Sequence, residues 1–355
     1  MFAFQRRSTL ILLVGLFLIF LASVAHAAER HVVPLSPIPT ESPYTHKYQT
    51  QQFRLHESET KSRLMLKTGG IDPQKTANME QFDVTYYGLT MGLDPVARIL
   101  TGQTEIKATV IAGSLTAVEL HLMSNMTVSA VTSGSQATGF NHAANLLNID
   151  LDRTYEIGEE IILMVDYSGN PAGDYFGWDS YGGDPLISTL SEPYGARHWW
   201  PCKDLNTDKA AAVDLHVTVP DDLIVASNGL LDSTSIPGPG LKTYHWQERY
   251  PIPTYLVSLA IHPFAVFGDT YTGLEGQEMP LEYYVIPARL SDAQSSFPVT
   301  VDMLEVFAQG FGEYPFIDEK YGHAHFPVSY THLTLPTTIP SWGCGGGGGG
   351  LCSGG

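Results

Sequence analysis

The stretch Thr189-Leu190-Ser191-Glu192-Pro193-Tyr194-Gly195-Ala196-Arg197-His198-Trp199-Trp200-Pro201-Cys202-Lys203-Asp204 decides the reading of this chain. It gathers two acids, two bases, two adjacent tryptophans and a cysteine around two prolines and a glycine. No simple period runs through it, so it fits neither an amphipathic helix nor an alternating strand. Glu192 precedes Pro193, and the residue before a proline is driven toward extended backbone. The sequence therefore predicts a stiff loop that holds one carboxylate in a fixed place. Two readings are open on these residues. In one, the Trp pair plugs a core and Glu192 pairs with Arg197. In the other, Glu192 presents its charge to a ligand.

On both sides of this loop the pattern is that of short strands. Val84, Tyr86, Thr104, Ile106, Ala108 and Val110 fall in alternating runs, which Gly88, Gly92, Pro95 and Gly102 are expected to break. Val118, Leu120 and Leu122 alternate. So do Val213, Leu215, Val217 and Val219, which predict a half-buried antiparallel strand ended by Pro220. Tyr255, Val257, Leu259 and Ile261 suggest another, and Leu281 to Ile286 one more. Many short strands separated by turn residues indicate a mainly β fold, an antiparallel sandwich or saddle. Later, Phe297, Val301, Leu304, Ala308 and Phe311 recur at steps of four and three, which is one helix face. Ser291 or Ser295 is the expected cap, and Gly310, Gly312 and Pro315 the expected stop.

The ends of the chain read differently. Arg6 and Arg7 precede an apolar run and the small residues Ala25-His26-Ala27. This is the pattern of a secretory signal peptide over residues 1–27, too short for a membrane span. A twin-arginine export signal is the lesser alternative. Residues 28–78 are rich in Pro, Ser, Thr and Gln and read as an extended lead-in, with a short polar helix over 54–67. Residues 328–355 contain a run of six glycines and read as a tail outside the fold.

The chain has 355 residues, 43% of them apolar, enough for one or two domains with a sizeable core. Its formal charge is -18, and cleavage after Ala27 would remove two arginines and no acid, leaving -20. Such an acidic chain is a poor partner for nucleic acid or an anionic membrane. Of three cysteines, only Cys202 lies outside the suspect tail, so no disulfide framework is expected.

The run Ser191-Glu192-Pro193-Tyr194-Gly195-Ala196-Arg197-x-Trp199-Trp200-Pro201-Cys202-Lys203-Asp204 resembles the signature loop in the N-terminal domain of zinc aminopeptidases, the family of aminopeptidase N and leukotriene hydrolase. Three further stretches match in the family's order. They are Val219-Pro220 through Val225-Ala226-Ser227-Asn228-Gly229, then Pro253-Thr254-Tyr255-Leu256, then Phe311-Gly312-Glu313-Tyr314-Pro315-Phe316. The likeness covers roughly residues 81–327. It implies a β-rich N-terminal domain over 79–268 and the start of an α/β thermolysin-like catalytic domain over 269–327. It also implies an exported, periplasmic or secreted enzyme that uses zinc to remove N-terminal residues from peptides. Position for position, Glu192 is the family's ligand for the substrate α-ammonium group, which a carboxylate grips by a charge-assisted hydrogen bond. Arg197, Trp199 and Trp200 are then expected to brace the loop.

The zinc-binding motif itself is not found in the sequence. His-Glu-x-x-His places two ligands and a base on one helical face. His56-Glu57-Ser58-Glu59-Thr60 starts correctly but carries Thr60 where the second His belongs. His323-x-His325 would share one strand face, but zinc sites take three or four protein ligands. The sequence shows no G-x-S-x-G elbow, phosphate loop or dinucleotide fingerprint. Asn125-Met126-Thr127 fits a glycosylation acceptor, a pattern common by chance. The chain as given is thus expected to be the inactive N-terminal part of such an enzyme, with no metal ligands of its own. The rival is a non-catalytic secreted β-sandwich binding module. Residue preference and oligomeric state are not legible.

Overall fold

The computed structural model describes residues 75–171 and 173–326. The signal segment, most of the lead-in, the helix expected over 54–67, the His56-Glu57 near-match and the tail lie outside the described residues.

The chain forms β1 (Phe82–Asp94), β2 (Ile99–Val110), β3 (Ser114–His121), β4 (Met126–Ser133), β5 (Gln136–Ala137), β6 (Phe140–Ala143), β7 (Leu146–Glu156) and β8 (Glu160–Gly169). Then come β9 (Phe176–Tyr181), β10 (Asp184–Thr189), β11 (Lys209–Ala210), β12 (Ala212–Pro220), β13 (Ile224–Ser227), β14 (Leu230–Ser235), β15 (Leu241–Glu248) and β16 (Ile252–Pro253). β17 (Leu259–His262), β18 (Ala265–Thr272) and β19 (Glu278–Val285) precede helices α1 (Leu290–Ser296) and α2 (Val299–Phe311), and β20 (Tyr321–Ala324) follows.

These strands make an eight-stranded sheet in the order β14-β15-β12-β1-β2-β8-β4-β5 and a four-stranded sheet β13-β17-β10-β9. Smaller sheets are β3-β7-β6, β11-β16 and β18-β19-β20. Pairing is antiparallel except at β1–β12 and β19–β20, which are parallel. The mainly β class read from the sequence is the class observed. One detail differs: β12 is antiparallel to β15 but parallel to its other neighbour, β1. A strand's alternation reports which face is buried and is blind to the direction of its partner.

The alternation itself holds in β12, where Val213, Leu215, Val217 and Val219 are all buried. In β1 a bulge between Val84 and Tyr86 shifts the register, so Tyr87 rather than Tyr86 enters the core. The glycines expected to break strands sit inside them. Gly102 is needed because a Cβ there would lie 2.6 Å from the Tyr167 ring. Tyr255 and Val257 lie outside any strand, because Thr254–Leu256 forms a turn of 3-10 helix before β17 begins.

A first core joins Trp199, Trp200 and Trp246 with the inner faces of the larger sheets. A second gathers Tyr271, Leu281, Tyr283, Phe297, Leu304 and Ala308 under α1, α2 and β18–β20. The single helix face read from 297 onward is divided. Pro298, which has no N–H to continue α1, caps α2 through its backbone, and neither Ser291 nor Ser295 caps it. Ser295 Oγ donates instead to the Asp292 carbonyl, 2.8 Å away. Phe311, expected on the buried face, is 79% exposed beside Phe307 at the helix end. Gly310 stays helical, and Gly312 ends α2 with φ of 96°.

Candidate functional site

The loop 189–204 leaves β10 and is fastened along its whole length. At its start, Thr189 Oγ1 accepts from the Leu259 N–H at 2.9 Å, tying the loop to β17. In the middle, the Arg197 carbonyl accepts from the Met123 N–H at 2.9 Å. At its end, Cys202 and His121 exchange two backbone hydrogen bonds of 2.8 and 3.1 Å. Lys203 Nζ then bonds the Phe82 carbonyl at 2.6 Å and pairs with Asp208 at 2.5 Å.

The tryptophans provide the packing. Both are fully buried, with ring centres 5.9 Å apart. Trp200 meets Tyr87 edge-on at 4.7 Å, while Trp199 donates from Nε1 to Ser191 Oγ at 3.0 Å. Each aromatic of this size buries about 150–250 Å², or about 4–6 kcal/mol of transfer free energy. Gly195 is required by contact: an added Cβ would lie 2.2 Å from the Tyr175 ring.

Glu192 stands at the partly exposed turn of this frame, joined to Pro193 by a cis peptide bond. Among the described residues nothing donates a hydrogen bond to its carboxylate. Arg197, the partner considered for it on sequence, turns to Asp204 instead, with Nε 4.0 Å from Oδ2 and the backbone N–H 3.4 Å away. Tyr255 is the nearby polar group. Burial, and then the negative charge of Glu192, push its phenol above the ordinary range and keep it protonated. A half-exposed carboxylate lacking internal donors, beside a phenol, is suited to receive an external cation.

Asp204 was not singled out on sequence, yet it joins the matched stretches. It is fully buried, accepts from Thr254 Oγ1 at 2.8 Å, and its N–H donates to His121 Nδ1 at 3.2 Å. Burial raises its carboxyl to about 6, against the opposing pull of Thr254 and Arg197. Asn228, from the third stretch, completes the join. Its Nδ2 donates to the Leu256 carbonyl at 3.0 Å, and its Oδ1 accepts from the Ser258 N–H at 2.7 Å. Three of the four matched stretches thus converge on one structure, with Tyr255 between them and Glu192. The fourth ends α2, where Glu313 accepts from the Tyr271 hydroxyl at 3.0 Å and from the Leu274 N–H.

His323 and His325 are engaged separately. Burial lowers His323 to about 4, and its Nε2 lies 3.1 Å from the Tyr321 hydroxyl. His325 Nδ1 accepts from the Ile286 N–H at 3.1 Å. Among the described residues no three His, Cys, Asp or Glu side chains stand close enough to hold a metal ion together, so these donors do not fit a catalytic zinc. No described helix is long and apolar enough to cross a membrane.

Comparison with known proteins agrees with this architecture. Residues 83–256 match the Peptidase M1 N-terminal domain. Leukotriene A-4 hydrolase of Xenopus laevis is 23% identical over 202 residues, covering 54% of this chain and 33% of the relative. Leucine aminopeptidase 2 of Vanderwaltozyma polyspora is 25% identical over 161 residues, covering 44% of this chain and 23% of the relative. The crystal structure of a mutant M1 zinc metallopeptidase from Deinococcus radiodurans, bound to a Tyr-Ser-Ala substrate, superimposes with a TM-score of 0.57. It is 27% identical and covers 69% of this chain and 56% of that one. The chain therefore spans a third or less of these two curated relatives. With the fold, the signature loop and these matches in agreement, the chain belongs to the M1 family of zinc metallopeptidases, and residues 83–256 are its N-terminal domain.

Proposed function

We propose that this chain is the N-terminal part of an exported zinc aminopeptidase, and that Glu192 binds the α-ammonium group of its peptide substrates. The observation that carries this reading is the state of Glu192. Its carboxylate is held at the turn of a fully braced loop, its obvious partner Arg197 is committed to Asp204, and Tyr255 stands beside it. An ammonium in that position forms a charge-assisted hydrogen bond, strongest where water is excluded. Zinc, which in this family supplies the hydrolytic chemistry, belongs to donors outside the described residues. The leader over 1–27 supports a periplasmic or secreted location, which N-terminal sequencing of the exported protein tests: Ala28 should be its first residue.

Glu192→Gln in the complete enzyme keeps the shape and removes the charge. Losing one charge-assisted bond costs about 1.5–3 kcal/mol, roughly tenfold to a hundredfold in catalytic efficiency. Acetylating the substrate's amine should then harm the wild type far more than the variant, since both changes delete one contact. Independent, additive losses would rule out the amine contact. Clean sequencing of the gene past the Pro327 codon tests the remainder of the reading. His-Glu-x-x-His downstream supports the enzyme, and a stop codon there supports the binding module instead.

A further inference from the structure

The outer face of the eight-stranded sheet carries two histidines that the aminopeptidase reading does not use. β12 and β15 run antiparallel and set His216 directly opposite His245. Their flanking residues Leu215, Val217, Tyr244 and Trp246 are buried, so both imidazoles lie on the face turned away from the core. The ring centres are 4.6 Å apart at an interplanar angle of 62°. Ser235 Oγ lies 2.8 Å from His245 Nε2 and fixes that ring. Among the described residues no hydrogen bond reaches either nitrogen of His216 or Nδ1 of His245. Both rings are half-buried.

This spacing is that of a chelate. A cation held at 2.0–2.1 Å from one nitrogen of each ring, with ligand angles between square and tetrahedral, needs ring centres about 4.5–5.2 Å apart. The paired strands already hold the two side chains side by side, so little ordering is left for binding to impose. Burial, and then the neighbouring His245, lower the His216 pKa, which leaves its lone pairs free at neutral pH; Asp214 and Asp232 act in the opposite direction. Asp214 is itself paired with Arg249 at 2.6 Å, so Asp232 is the uncommitted acid near the rings. We propose that His216 and His245 form a two-histidine site for a divalent first-row cation of the copper, zinc and nickel class, with water filling its remaining positions.

The test uses the full chain titrated with copper(II) chloride in a non-coordinating buffer, followed by calorimetry and by electron paramagnetic resonance. One equivalent should bind, with hyperfine structure from two nitrogens. His216→Asn and His245→Asn should each weaken binding at least tenfold, while His142→Asn, on another sheet, should leave it unchanged. Circular dichroism establishes that the variants fold. The nitrogen count on the unaltered protein decides the matter if they do not. No binding, binding that survives both substitutions, or a spectrum showing one nitrogen or four would overturn the site.

Discussion

Asp204→Asn offers a measurement that isolates the carboxylate tying the loop to the Thr254 turn. In the folded protein this carboxyl is raised from 3.8 to about 6, chiefly by burial. The folded state therefore binds more protons than the unfolded state between those values. Stability then falls as pH rises across that window, because its slope follows the protons bound by the unfolded state less those bound by the native one. About two units correspond to about 3 kcal/mol. Asparagine keeps an acceptor for Thr254 Oγ1 but has no proton to lose, and its amide faces the Arg197 N–H less well. The variant should be the less stable protein near pH 3.5. Its disadvantage should shrink by about 3 kcal/mol by pH 7 and there reach zero or reverse. Urea unfolding at a series of pH values, read through Trp199 and Trp200 fluorescence, gives the difference directly. Other titrating groups are common to both proteins and cancel. A difference that stays constant from pH 3.5 to 7 would refute the reasoning.

Three other substitutions probe the frame. Gly229→Ala forces a side chain onto a residue with φ of 69° and brings a Cβ within 1.9 Å of the Gln247 carbonyl oxygen, so the urea midpoint should drop by the equivalent of about 2 kcal/mol or more. Trp200→Ala empties the space against Tyr87 and should cost about 3–5 kcal/mol in the same assay. Glu248 is raised to about 8 by burial and by Glu319 beside it, so the stability it lends at pH 5 is lost as pH rises through 8. Glu248→Gln should therefore flatten the decline in melting temperature between pH 6 and 9, and an unchanged decline would exclude Glu248 as its source.

The strands and the signature loop were legible because burial writes itself into alternation and because proline, glycine and tryptophan have few alternative placements. The parallel β1–β12 pair was not, since hydrophobic period carries no direction. The bulge at Val84 to Tyr86 was hidden for a related reason: two adjacent tyrosines satisfy either register. At the site, Glu192 was identifiable from its neighbour Pro193 and the family likeness, but its surroundings were not. Asp204, Thr254 and Asn228 lie far apart in sequence and meet only after the sheets assemble, although each sits inside a stretch that drew notice. The His216–His245 pair left no trace in either strand alone, because opposition across a ladder is a property of register.

The β1–β12 pairing also sets a schedule for the chain's synthesis. Tyr86 finds its partner Ala212 only 126 residues later. At about 5–20 residues per second a ribosome takes roughly 6–25 s to make that interval. Throughout it β1 has β2 on one side and an open row of backbone donors and acceptors on the other. That edge lies in the middle of the finished sheet and so has none of the charges or prolines that guard a permanent edge. Contacts this distant in sequence form slowly even in the released chain. The nascent protein is thus most exposed to strand-mediated association just while the Glu192 loop is emerging, and the two become safe in the same event.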